Sequence, residues 1–237
     1  MTYLSGRNMY RSLLIISLVI LLIFSFVTIA YLCHWTGGTK KMANQGTIDD
    51  RTSRNNDPWN KHAVDTAATI LQTGDLVLRD GIDVTSDLLR QMNQTDKTYS
   101  HCGLVVVENG YPFVYHSIGG EDNPDARMRR DSASFFFSPY NNFRFGIARY
   151  VISDAVKERM KKIIWTSYKQ HIRFDMDFDL KTDDKLYCAE FVYKTMNKAT
   201  GDNQFILPTK VMGYTFVGTD NLFVNPHTRM IWQVKFK

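Results

Sequence analysis

Leu13 to Leu32 is close to uninterrupted apolar sequence, broken only by Ser17, Ser25 and Thr28, and this run divides the chain. Twenty such residues rise about 30 Å as a helix, enough to cross the hydrocarbon core of a bilayer. Residues 13–32 are therefore expected to form an uncleaved transmembrane anchor behind a basic flank, residues 1–12, that carries Arg7 and Arg11. Lys40 and Lys41 follow at greater distance, and the closer pair of cations favours an N-terminus inside and a domain outside the cytoplasm. Thr28 and Ala30 also supply a small-x-small site, so a cleaved export signal and a secreted domain are the alternative. Leu32 stands where a lipoprotein signal needs a small residue, which argues against lipidation of Cys33.

Residues 33–58 read as a linker, because their Gly, Thr, Asn, Asp and Lys content cannot bury a core. Residues 59–237 then suffice for one domain with a real core. The formal charge of +5 suggests an acidic partner only until it is located. Arg7, Arg11, Lys40 and Lys41 precede the domain with no acid among residues 1–41, and removing these four from 29 basic residues leaves 25 against 24 acids. The cluster Arg127, Arg129, Arg130 reads as a solvated loop. Nucleic acid is not an expected partner, since a phosphate-backbone binder needs a basic face.

Within the domain, a helix is expected near Trp59–Leu71, a strand at Leu76–Leu78 after the Gly74-Asp75 turn, and a helix over Asp83–Gln94 capped by Asp83 or Ser86. His101–Val107 and Tyr111–His116 flank Asn109-Gly110, a strong hairpin signal, and Phe143–Val151 reads as a third strand. Ser153 caps a helix to about Gln170. A further helix starts at Tyr187 or Cys188 and stops near Lys198, before Gly201. Leu222–Val224 and Met230–Phe236 read as a closing hairpin. This order predicts an α+β domain in which an antiparallel sheet packs on helices.

Cys188 falls in the first turn of its helix, where unpaired amides and the positive end of the dipole favour thiolate over thiol. The same amides can stabilise an oxyanion. A buried structural cysteine is the competing reading, as is a Cys102–Cys188 bridge. The hairpin sets His101 and His116 on adjacent strands at one end of the sheet, the geometry of a base and its orienter. Ligation of zinc by His101, His116 and Cys188 lacks a further ligand at the right spacing. Asp175-x-Asp177-x-Asp179 lacks the glycine and distal glutamate of a calcium loop. No metal or cofactor is expected. Phe135-Phe136-Phe137 reads as core or cleft wall.

Gly74-Asp75-Leu76-Val77, then Tyr99-Ser100-His101-x-Gly103-Leu104-Val105, then Tyr187-Cys188-Ala189-Glu190-Phe191-Val192 occur in the order found in permuted papain-like hydrolases. The chain resembles the YiiX and YebB-like branch of the NlpC cell-wall peptidase superfamily over about Leu71–Leu207. Lecithin:retinol acyltransferase is a more distant relative. The resemblance implies a circularly permuted papain-like fold, with Cys188 as nucleophile and His101 as general base. His116 stands where relatives carry a third polar residue, often Glu and in the acyltransferase branch His. Tyr99 and Tyr187 flank the expected site, either lending a hydroxyl to an oxyanion or packing. The expected activity is cysteine-dependent amide hydrolysis of a cell-wall peptide through a thioester. A lipid acyl substrate at the membrane and a catalytically silent binder of envelope peptide or lipid are the alternatives.

Overall fold

The computed structural model describes residues 47–119, 123 and 126–237. The apolar run 13–32 and Cys33 lie outside the described residues, and so does most of the expected linker. Among the described residues no helix is long and apolar enough to cross a membrane.

The stretch expected to be featureless linker up to residue 58 ends in a helix, α1, Ile48–Asn56. Thr47 accepts from the Asp50 N–H at 3.2 Å while Asp50 accepts from the Thr47 N–H at 2.8 Å. This reciprocal cap starts a helix that composition alone does not predict. Asp57 then caps α2, Pro58–Ile70, with proline in its first turn. The chain continues through β1 (Asp75–Gly81), α3 (Val84–Gln91), β2 (His101–Glu108) and β3 (Tyr111–His116). Next come β4 (Arg129–Ser132), α4 (Ala133–Phe136), β5 (Asn142–Tyr150), α5 (Asp154–Lys169) and α6 (Cys188–Thr200). A small hairpin, β6 (Thr209–Val211) with β7 (Tyr214–Phe216), precedes α7 (Thr219–Phe223) and β8 (Thr228–Lys235).

The main sheet has strand order β4-β3-β2-β1-β5-β8, and every neighbouring pair is antiparallel. The expected α+β class with an antiparallel sheet on helices is therefore observed. Two further expectations fail. Residues 222–236 form no hairpin: α7 covers the first part, and β8 pairs with β5 instead. Arg129 and Arg130 belong to an edge strand rather than a solvated loop, with Arg130 paired to Glu108 at 2.6 Å and set 3.3 Å from the Phe113 ring centroid. In each case partners remote in sequence complete the hydrogen bonding.

Helices cover both faces of the sheet. Leu76, Leu78, Cys102, Leu104 and Val106 pack with α5 and α6 residues such as Met160, Ile164, Phe191 and Met196. Val77, Val105, Val114, Phe145 and Ile147 pack with Ala63, Val64 and Ala67 of α2 and with Phe136. Burial on both faces explains why these strands read as continuous apolar runs. The Gly74-Asp75 motif serves this frame. Gly74 turns at φ +98°, and the Asp75 carboxylate accepts from Arg149 Nε and Nη2 at 2.7 and 2.9 Å, bonding β1 to β5.

Candidate active site

The β2–β3 turn sets up the site. Asn109 and Gly110 both have positive φ, 50° and 85°, the backbone a tight primed turn needs. The resulting register pairs Leu104 with Tyr115 and so brings His116 opposite Gly103. A Cβ on Gly103 would stand 2.6 Å from Val114 Cγ1, 2.9 Å from the Tyr115 carbonyl oxygen and 3.1 Å from His116 Cβ. Only glycine at 103 lets the two histidines approach. Their rings meet with His101 Nε2 2.8 Å from His116 Nδ1, and His116 Nε2 lies 2.9 Å from Asp131 Oδ2 on β4. Phe136 packs against both imidazoles, its centroid 5.7 Å from His101 and 5.2 Å from His116.

Proton positions in this relay follow from its charges. Burial tends to raise the Asp131 pKa, but hydrogen bonds from His116 and Arg129 outweigh it and hold the carboxyl below its ordinary value. Asp131 is then an acceptor only. Burial pushes the His116 pKa down to about 4, and burial followed by the Arg79 and His116 charges pushes that of His101 well below its usual value. Both rings are neutral at neutral pH. The His116 proton must sit on Nε2, facing the carboxylate, which leaves its Nδ1 to accept from His101 Nε2–H. His101 Nδ1 is thereby left with a free lone pair, as a general base requires.

Cys188 opens α6 with Tyr187 as N-cap and is 3% exposed. The largest influence on its pKa is Cys102. The Cys102 thiol donates toward the Cys188 sulfur, and this, with the Ala189 and Cys102 backbone N–H groups and the Arg79 charge, overcomes burial and lowers the Cys188 pKa. Burial pushes Cys102 in the opposite direction. The two coupled thiols are thus shifted in opposite directions, Cys188 toward thiolate and Cys102 toward thiol. Both cysteines are free, so no Cys102–Cys188 bridge is present.

The structure joins His101 to His116 but forms no hydrogen bond from either to Cys188 among the described residues. Successive strand residues point to opposite faces. Cys102 therefore faces α6 and the Cys188 thiol, whereas His101 faces Phe136. The two groups come nearest at the end of the sheet, where His101 is the first residue of β2 and its neighbour Cys102 packs with Cys188. Catalytic hydrogen bonds are often long or unmade without substrate. A cavity of about 250 Å³ opens over the relay, lined by Arg51, Arg79, Asp83, His116, Arg129 and Asp131 among others, and Cys188 does not line it. Larger cavities of about 740 Å³ between α5 and α6 and about 540 Å³ beside the β6–β7 hairpin lie away from both groups.

Tyr99 and Tyr187 are placed as packing residues. Each is 1% exposed. The Tyr99 oxygen accepts from Gln233 Nε2 at 2.9 Å and the Tyr187 oxygen from the Val217 N–H at 2.8 Å, so each hydroxyl oxygen is engaged within the protein. Asp175 organises its loop by accepting from the Asp177 and Asp179 N–H groups at 2.9 and 2.8 Å. Asp131 and Arg79 were not legible as site residues. Asp131 sits in a short polar strand with no motif, and Arg79 reads as an ordinary strand cation until its register partner, His101, is known.

Glu190, buried at the third position of α6, accepts from the Tyr187 N–H at 3.1 Å and pairs with Lys194 at 3.0 Å. Burial raises its pKa from 4.5 to about 7, against the Lys194 interaction. A carboxyl raised on folding contributes stability below its unfolded pKa and loses it as pH rises through the folded value. Urea denaturation should thus show the parent losing about 2 kcal/mol relative to Glu190→Gln between pH 5 and pH 8. His116 has the opposite sign. Its folded pKa of about 4 lies below the ordinary 6.5, so its contribution is complete above pH 6.5 and drains as pH falls towards 4. Imidazole NMR should find His116 neutral at pH 5, and a midpoint near 6.5 would contradict the buried relay.

The fold and site together define an α+β protein of the YiiX fold, carrying a cysteine at a helix N-terminus and a buried histidine pair. The crystal structure of metalloprotein yiiX from Escherichia coli O157:H7 matches with a TM-score of 0.57 at 18% identity, covering 69% of this chain and 98% of that one. In sequence, the chain is 25% identical over 131 residues to the uncharacterized protein YiiX of Escherichia coli (strain K12). That match takes in 55% of this chain and 59% of the length of YiiX. No family model matches.

Proposed function

We propose that the protein is a membrane-anchored cysteine hydrolase of permuted papain-like type that cleaves an amide bond through a thioester. The observation that carries this reading is the relay Asp131–His116–His101, which leaves the His101 Nδ1 lone pair unprotonated one residue from the cysteine that touches Cys188. His101 takes the thiol proton, the Cys188 sulfur attacks the carbonyl carbon, and the Cys188 backbone N–H stabilises the oxyanion. Collapse expels the amine, which takes the proton from His101, and water then releases the acyl group from sulfur. The order of histidine strand before nucleophile helix supports the permuted arrangement.

A cell-wall peptide is the first substrate class, and the run 13–32 supports a domain held at the membrane outside the cytoplasm. A lipid acyl substrate is the second reading. The β6–β7 hairpin favours it by leaving Met212 92% and Tyr214 76% exposed, beside the 540 Å³ cavity lined by Phe178, Val211 and Phe216. A silent binding module has no need of a relay that deprotonates one imidazole nitrogen. The related Escherichia coli O157:H7 protein is described as a metalloprotein. Among the described residues here, no three His, Cys, Asp or Glu side chains converge to hold a metal, and facing nitrogens of His101 and His116 are bonded to each other. The residues present do not fit a metal centre, and no step is routed through one.

The test is incubation of the protein with peptidoglycan fragments and, separately, with phospholipid vesicles. Released peptide identifies the amidase and released fatty acid the lipid hydrolase. A burst of acyl-enzyme on mixing with an activated ester is expected in either case. Absence of both products and of the burst would leave the binding module.

A further inference from the structure

Arg79 lines the cavity over the relay, and among the described residues its charge is met by Asp83, Cys188 and Asp131 only through space. It sits on β1 opposite His101. Its Nη1 donates to Asn142 Oδ1 at 2.9 Å, and its guanidinium lies 5.2 Å from the Phe136 ring centroid. Its Nε is buried without a hydrogen-bond partner, and no carboxylate comes within ion-pairing distance among the described residues. Another arginine of the same sheet shows how such an edge is satisfied: Arg149 binds Asp75 through Nε and Nη2. Arg144 Nε also lacks a hydrogen bond, but it has the Asp80 carboxylate at 3.2 Å as an ion pair.

The acids around the cavity are already engaged. Asp131 accepts from His116 and Arg129, each at 2.9 Å. Asp83 accepts from the Ser86 N–H at 2.8 Å and its hydroxyl at 2.7 Å. A half-buried guanidinium against an aromatic ring without a paired anion is destabilising, and such groups concentrate where a ligand completes them. We propose that this cavity is an oxoanion subsite, in which Arg79 binds a carboxylate or phosphate of the ligand through its Nε edge, as Arg149 binds Asp75. A guanidinium edge matches the two oxygens of such a group and not a spherical anion. A volume of about 250 Å³ is below that of a whole drug-sized ligand site, so the cavity takes the anionic end of a larger molecule. As a statement about substrate this rests on the acyl-transfer reading, whereas as a statement about binding it does not.

The test separates the two by using the full chain with Cys188→Ala, which cannot turn over. Inorganic phosphate, acetate and chloride are titrated at constant ionic strength while the His101 and His116 imidazole signals are followed by NMR. Saturable binding of phosphate or acetate is expected at least tenfold tighter than chloride. Arg79→Gln should weaken it at least tenfold, and Arg79→Lys, which keeps the charge but not the two-pronged edge, at least threefold. Glycerol phosphate against acetyl-alanyl-alanine then distinguishes a headgroup phosphate from a peptide carboxylate, and a preference for either supports the subsite. If Arg79→Gln does not fold, the affinity of Arg79→Lys decides. No saturable oxoanion binding, or parent-like affinity in the folded Arg79 variants, overturns the proposal.

Discussion

Cys188→Ala is expected to lower turnover of an activated ester by about 10⁴-fold or more, since the nucleophile and its base act as a unit. Nothing nearby can substitute. Cys102 touches Cys188, but its pKa is pushed well above the ordinary thiol value by burial, so it holds its proton more tightly than Cys188 does. Folding should survive the change, because alanine leaves only a small void at the first position of α6. The physical origin of the reactivity can be read separately. Iodoacetamide should alkylate Cys188 with an apparent pKa below that of an ordinary thiol, and Cys102→Ala should move that pKa upward by removing its leading stabilising contact. Full activity in Cys188→Ala would end the hydrolase reading.

The relay carries the second large effect. His101→Ala should cost about 10³-fold in kcat, within the range for loss of a general base. Asp131→Asn is the more informative variant, with an expected loss of about 10²-fold through the tautomer. An asparagine amide facing His116 Nε2 can donate to it, which moves the His116 proton to Nδ1. That proton would then oppose the His101 Nε2–H across 2.8 Å. His101 relieves the clash by carrying its proton on Nδ1 instead, and its basic lone pair turns away from the reacting thiol. The damage should fall on kcat with KM little changed, because Asp131 reaches the reaction only through two imidazoles. A fully active Asp131→Asn protein would reduce the relay to packing. Gly103→Ala tests the same geometry sterically, since its Cβ would meet the Tyr115 carbonyl at 2.9 Å. Such overpacking should cost about 1–3 kcal/mol of stability.

Most of the frame was legible because its signals are local. Asp83 and Ser153 cap α3 and α5 as expected, Asn109-Gly110 turns β2 into β3, and Gly201 stops α6 at φ 76°. Each depends on a few adjacent residues whose backbone preferences do not wait on the rest of the fold. The tail failed for the opposite reason. Met230–Phe236 is strand-like by pattern, but its partner, β5, lies some eighty residues earlier in the chain, and no turn signal records that pairing. Helix α1 was missed because a reciprocal cap outweighed a composition poor in apolar residues.

The sequence by itself determined the apolar run, the antiparallel hairpin, the pairing of His101 with His116 and the position of Cys188 at a helix start. These follow from spacing, since neighbours along one chain segment have few geometries open to them. Only the tertiary structure decided the third member of the histidine relay, the thiol partner of Cys188, and the face of the sheet on which each works. Asp131 enters through the pairing of β4 with β3, and Cys102 through the packing of α6. Arg79 acquires its meaning from what does not surround it. Register and helix packing are settled by the burial of whole faces at once, so contacts across strands are a property of the assembled sheet and not of any short segment.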